Sequence, residues 1–170
     1  MSVFSGYPGL FFEDVKPRQV IVHRLGRTVT FQDNLFFSHS LLNTACLHFD
    51  KEYMQFTEFK QPLLVMTMVL GISFGVASED FKNIARDVEI KNVRMLAPVF
   101  DGDTLHVVTE ILETKEHPER KDVGIVVARH KTYKNNYATQ VMQVDRELLL
   151  YKRDYLPRWR IQGKTFAIHR

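Results

Sequence analysis

The chain of 170 residues contains one cysteine, Cys46, so no disulfide can form within it and burial and hydrogen bonding must hold the fold. Zinc-type spacing of Cys and His is missing, and no metal is expected. No apolar run is long enough for a membrane span. The longest, Pro62 to Ala77, is interrupted by Thr67, Gly71, Ser73 and Gly75. The N-terminal stretch lacks a basic segment followed by an apolar one, which argues against a secretory leader, so a cytoplasmic location is expected. Charge of one sign is also scarce: 23 Lys and Arg face 20 Asp and Glu, a formal net charge of +3 with a pI of about 9.0. Apart from a cluster near the C-terminus these cations are scattered, which speaks against a nucleic-acid partner but suits an anionic small ligand. What the chain does have is apolar mass. It is 45% hydrophobic with 13 phenylalanines, enough for the core of one domain.

Hydrophobic periodicity divides the chain into distinct stretches. After an irregular lead-in, residues 19–25 and 28–30 read as strand, with Gly26 between them. Thr30 with Asp33 three residues later has the spacing of a capping box, opening a helix from Phe31 to Leu42. Residues 43–50 have no clear period, and 51–57 hold one more helical turn. Pro62 reads as the first residue of a helix that is apolar nearly all round and therefore buried on most sides. Its Gly71 and Gly75 are four apart and leave room for a close neighbour or simply relieve crowding. From residue 88 onward the period becomes two. Strands are expected over 88–94, 104–114, 124–133 and 138–150, with Ala97–Asp103 and Lys115–Asp122 as connections. A sheet wrapped around one apolar helix satisfies both apolar faces, so the expected class is α+β, an antiparallel sheet around a long central helix. One domain over residues 1–150 is expected, with 151–170 a basic, aromatic tail.

Three stretches resemble the MaoC-like hydratase/dehydratase family, whose fold is the hotdog. They are Thr30–Asp33 through Leu47-His48-Phe49-Asp50, then Thr57-Glu58-Phe59-Lys60-Gln61-Pro62-Leu63, then Ala97–Leu105 with the later Gly124–Val127. They occur in the family's order over roughly residues 12–150. The Leu-His-Phe-Asp stretch most resembles the branch that handles mesaconyl-CoA and itaconyl-CoA, branched five-carbon dicarboxylic thioesters. The resemblance implies hydration of a carbon–carbon double bond beside a thioester carbonyl. No cofactor is implied beyond the coenzyme A of the substrate. A homodimer or a multiple of dimers is implied, with sites where subunits meet.

That chemistry needs a base for water, an acid for the α-carbon and a donor for the charge on the thioester oxygen. The family's Asp-x-Asn-Pro-x-His motif falls on residues 43–48, with His48 on its histidine and Asn43 on its aspartate. An amide can orient a water but cannot take its proton. Two readings therefore stand: a site run by His48 with Asn43 positioning water, or a site that only binds acyl-CoA. Asp33 is a candidate for the missing carboxylate and also, as a capping-box residue, for a purely structural role. His39 and Ser40 lie in the same segment and are candidates to face the substrate. The resemblance suggests backbone N–H groups near Leu64 and Val65 as oxyanion donors, although relatives place a small residue there and this chain has Leu64-Val65-Met66-Thr67. Arg94, Arg129, Lys131, Arg158 and Arg160 are candidates for the CoA phosphates, or ordinary surface charges. Besides the hydratase, an acyl-CoA thioesterase using Asp33 or Glu58 and a non-catalytic acyl-CoA-binding protein remain open.

Overall fold

The computed structural model describes residues 7–155, so Arg158, Trp159 and Arg160 of the expected tail lie outside it. Its strands are β1 (Val20–Thr28), β2 (Ile84–Met95), β3 (Thr104–Glu116), β4 (Val123–Lys134) and β5 (Thr139–Tyr151), and its helices are α1 (Phe31–Ser40), α2 (Lys51–Met54) and α3 (Met66–Ala77). One antiparallel sheet of order β1-β3-β4-β5-β2 is formed, with α3 laid across one face. The alternation read in β3 is the buried set Leu105, Val107, Thr109 and Ile111. Gly26 does not break β1; the register shifts between Val22 and Gly26 and the strand continues.

Two apolar clusters lie between helix and sheet. The first half of α3 brings Met68 and Val69 onto Val29, Val99, Leu105, Val141 and Met142. At the far end, Ala77 and, just beyond the helix, Phe81 pack onto Ile111, Val126, Ala128, Leu148 and Leu150. A buried polar chain also crosses the interior. The Nδ1 of His23 meets Asp80 at 2.6 Å, its Nε2 meets the Thr109 hydroxyl at 2.7 Å, and that hydroxyl meets His130 Nδ1 at 2.7 Å. Asp80 as a carboxylate only accepts, so His23 donates from Nδ1, Thr109 donates to His23, and His130 donates to Thr109. His130 is 0% exposed, and burial pushes its imidazole down to about 3.

Two expectations are corrected. The central helix starts at Met66 rather than Pro62, because the Leu63 carbonyl, which a helix begun at Pro62 would offer to the Thr67 N–H, accepts from Asn34 Nδ2 (3.0 Å) and His48 Nδ1 (2.9 Å) instead, while the N–H groups of Leu63 and Leu64 anchor to the carbonyls of Leu47 (2.9 Å) and Val99 (2.9 Å). Backbone held in such cross-links stays extended, and Val65 is the helix cap with ψ of 135°. The helix is also not covered all round: Met66, Thr67, Gly71 and Gly75 are exposed.

The Asp-Gly-Asp turn after β2 fastens the helix starts. Gly102 takes the left-handed conformation (φ 86°) that the turn requires. Asp101 Oδ1 accepts the N–H of Phe31 at 3.0 Å and so helps cap α1, while the Asp103 carbonyl accepts the N–H of Val29 at 2.9 Å. With Val99 accepting from Leu64, one turn sets the entries of both α1 and α3.

Candidate active site

His48 ends a 3-10 turn, Cys46–His48, between α1 and α2. Its half-buried ring stands at a cleft of about 350 Å³. One wall is Phe59, Leu63, Leu64 and Met66; the other is Met95 to Val99, the end of β2 and its following turn. His48 Nδ1 lies 2.9 Å from the Leu63 carbonyl oxygen. A carbonyl has no proton to give, so Nδ1 carries the hydrogen and neutral His48 keeps a lone pair on Nε2, which meets no protein group among the described residues. That is the form a general base requires.

The donor side of the cleft differs from expectation. The N–H of Leu64 is taken by Val99, and the N–H of Val65 by Asn34 Oδ1 at 3.0 Å, so neither is available to an oxyanion. Both residues serve as walls and anchors instead. The N–H groups of Met66 and Thr67, the first two inside α3, find no acceptor among the described residues. Orphan N–H groups at the positive end of a helix are suited to a developing negative oxygen.

Asp33 is a helix cap. Its Oδ2 accepts from the N–H and the hydroxyl of Thr30, both at 2.9 Å, and its Oδ1 accepts from Arg27 at 3.1 Å. The Thr30 hydroxyl, and then the Thr30 N–H, hold its carboxyl below the usual carboxylate range, the opposite of what a base working near neutrality needs. Replacing Asp33 by alanine should lower unfolding stability by about 0.5–1 kcal/mol through the lost cap and leave turnover within threefold of wild type. Denaturant titration and an activity assay check this; a hundredfold loss of turnover at unchanged stability would return Asp33 to the site.

The other expected residues are also placed away from the cleft wall. Asn43 Oδ1 folds back onto the N–H of Ala45 at 2.9 Å, which leaves its amide hydrogens and one oxygen lone pair for a water. Ser40 is exposed and its hydroxyl donates to the Phe36 carbonyl at 2.7 Å, while exposed His39 packs its ring on Phe49. Arg129 is bound by Asp145 through Nε at 2.7 Å and Nη2 at 2.9 Å. Lys131 pairs with Glu110. Arg94 is exposed and paired across β2–β5 with Gln143, whereas its neighbour Met95 pairs with Met142 and lines the cleft. Successive strand residues point to opposite faces, so Arg94 points away from it.

One side chain that the sequence reading missed is central. Asn34, fully buried on α1, sends Nδ2 to the carbonyls of His48 (2.6 Å) and Leu63 (3.0 Å) while its Oδ1 takes Val65 N–H. Its only sequence signal was an asparagine inside a helix, where such a residue is unfavourable unless it has partners elsewhere.

The family model described as the MaoC like domain matches residues 13–134. The chain belongs to the MaoC-like family and has its hotdog fold, the sheet wrapped around α3. It is 26% identical over 148 residues to Beta-methylmalyl-CoA dehydratase of Chloroflexus aurantiacus, covering 86% of this chain and 42% of that protein. The chain thus spans less than half the length of this curated relative. Among solved structures it is similar to a monoamine oxidase regulatory protein from Archaeoglobus fulgidus, at 27% identity and TM-score 0.74 over 85% of this chain and 95% of that one. It is also similar to a double-hotdog protein of Mycobacterium tuberculosis, at 19% identity and TM-score 0.74 over 94% of this chain and 49% of that one.

Proposed function

We propose that the protein is a hydro-lyase that reversibly adds water across the double bond of a short enoyl-CoA. The observation that carries this is His48, with Nδ1 committed to Leu63 and Nε2 open, beside the unpaired N–H groups that begin α3. Nε2 takes a proton from water as its oxygen bonds to the β-carbon, and the displaced electron pair moves to the thioester oxygen, where Met66 and Thr67 N–H receive it. Collapse of the enolate then draws that proton from His48 to the α-carbon, which returns the ring to its starting form. Dehydration is the same path reversed.

The finer reading is a branched five-carbon dicarboxylic acyl group, that of itaconyl-CoA or mesaconyl-CoA. The Leu-His-Phe-Asp stretch and the similarity to Beta-methylmalyl-CoA dehydratase support it. The cleft walls favour a second reading. Besides His48 they are apolar, and neither Arg94 nor Arg129 belongs to them, so a short chain without a second carboxylate, such as a crotonyl group, fits them better.

The partner reading is a second copy of this chain. The similar Mycobacterium tuberculosis protein has a double hotdog fold, and this chain covers 49% of it. At the β2 edge Val88, Ile90 and Leu96 are exposed, and Leu96 belongs to the cleft wall, so a copy paired there would close the site. No helix among the described residues is long and apolar enough to cross a membrane.

An absorbance assay of the conjugated enoyl thioester, run with mesaconyl-CoA and crotonyl-CoA, with product analysis for itaconyl-CoA, tests the proposal. Turnover of mesaconyl-CoA or itaconyl-CoA well above crotonyl-CoA selects the dicarboxylic reading, and the reverse order selects the second. Release of free thiol instead points to a thioesterase, and tight binding without turnover points to an acyl-CoA carrier.

A further inference from the structure

The base and the oxyanion donors sit on different segments, His48 in a 3-10 turn and Met66 and Thr67 at the head of α3. Their separation must be held to fractions of an ångström for both to act on one acyl group, since a misplacement of about 1 Å costs on the order of a hundredfold in rate. Little regular structure joins them: the turn is three residues long, and residues 61–65 before α3 belong to no helix or strand.

The link between them is the Asn34 amide. It spends both donors and one oxygen lone pair on backbone, one donor to the His48 carbonyl, one to the Leu63 carbonyl, and its oxygen on the Val65 N–H. The Leu63 carbonyl is the same oxygen that receives His48 Nδ1, so it takes two hydrogen bonds at once. One side chain thus fixes the main chain of the base, the acceptor that sets the tautomer of the base, and the N-cap of the donor helix. By consuming Val65 N–H it also makes Met66 and Thr67 the first donors left open.

We propose that Asn34 is a positioning residue that locks His48 in its Nδ1–H tautomer and fixes the base against the oxyanion donors of α3. This rests on the hydratase reading for its kinetic consequences, but not for its effect on the tautomer. Asparagine alone satisfies the site. A leucine of similar size strands two carbonyls and an N–H. An aspartate keeps the acceptor for Val65 but, when ionised, sets a second oxygen against two carbonyl oxygens. Protonated, that aspartate regains one donor.

The test uses the full chain with Asn34→Asp and Asn34→Ala. Nitrogen chemical shifts of His48 report its tautomer, and steady-state kinetics are read on whichever enoyl-CoA the wild type turns over. Folding is checked by circular dichroism. We expect kcat to fall about a hundredfold in both variants with KM changed only a few-fold, and the His48 signal to move from a single Nδ1–H form to a mixture. The ratio of Asn34→Asp activity to wild-type activity should rise as pH falls, because protonation restores a donor. A purely structural asparagine would give neither the tautomer change nor the pH-dependent ratio. If folded Asn34→Asp keeps wild-type kcat, or if the His48 tautomer is unchanged in both variants, the proposal is overturned. Should the wild type turn over no enoyl-CoA, the hydratase reading fails, and the nitrogen shifts alone decide the role of Asn34. Where Asn34→Ala does not fold, the near-isosteric Asn34→Asp carries every arm of the test.

Discussion

His48→Ala should retain its fold and lose about 10²–10⁴ in kcat, the usual contribution of a positioned acid–base group. Stability should suffer little for a structural reason. The His48 ring is half-buried, and the hydrogen bond it gives up is one of two on the Leu63 carbonyl, which keeps the Asn34 donor at 3.0 Å. No buried acceptor is stranded, so the cost is that of one ordinary hydrogen bond, about 1 kcal/mol. Glutamine at 48 can restore a donor to Leu63 but offers no basic nitrogen, so His48→Gln should be as inactive as alanine and nearer wild type in stability. Kinetics and denaturant titration of both variants check this. A kcat within tenfold of wild type in either would place the base on another residue.

Acid should destabilise the fold well before its carboxylates protonate. Buried His130 is neutral in the folded chain, with its pKa pushed down to about 3, whereas in the unfolded chain it has its ordinary value of about 6.5. Between these values the unfolded state binds one proton more, so stability is full above about pH 6.5 and falls by about 1.4 kcal/mol per pH unit as pH drops towards 3. From pH 7.5 to 4.5 this amounts to roughly 3 kcal/mol from His130 alone. His23 acts in the same direction: burial pushes it down, and the hydrogen bond and charge of Asp80 oppose burial only in part. Phenylalanine at 130 would sit among Phe74 and Phe81, which already flank the ring, and would leave the Thr109 hydroxyl its bond to His23. His130→Phe should therefore reduce the pH dependence by about one proton over this range. Denaturant unfolding at a series of pH values measures it; an unchanged slope in the variant would show that His130 does not carry the effect.

Most of the fold was legible because it rests on periodicity. The two-residue alternation of Leu105, Val107, Thr109 and Ile111 puts one face on the core in any sheet, and the strands from β2 onward emerged within a few residues of their expected bounds. The Thr30–Asp33 box was legible for the same reason: capping is a contact between residues three apart. The start of α3 was not. Pro62 is a good local opening for a helix, but the Leu63 carbonyl that would accept the Thr67 N–H is taken by Asn34 and His48, distant in the chain, and the helix begins only after it.

The candidate site divides in the same way. By itself the sequence determined the α+β class, the central apolar helix and the prominence of His48, because these follow from local spacing and from a motif of contiguous residues. Which nitrogen of His48 is open, which N–H groups of α3 remain for an oxyanion, and the commitment of Arg129 to an ion pair with Asp145 were decided only by tertiary structure. The physical reason is that hydrogen-bonding capacity is finite. Leu63 O, Val65 N–H and the Asn34 amide are each claimed by a partner distant in sequence, and what is left unclaimed after those pairings is what a substrate can meet.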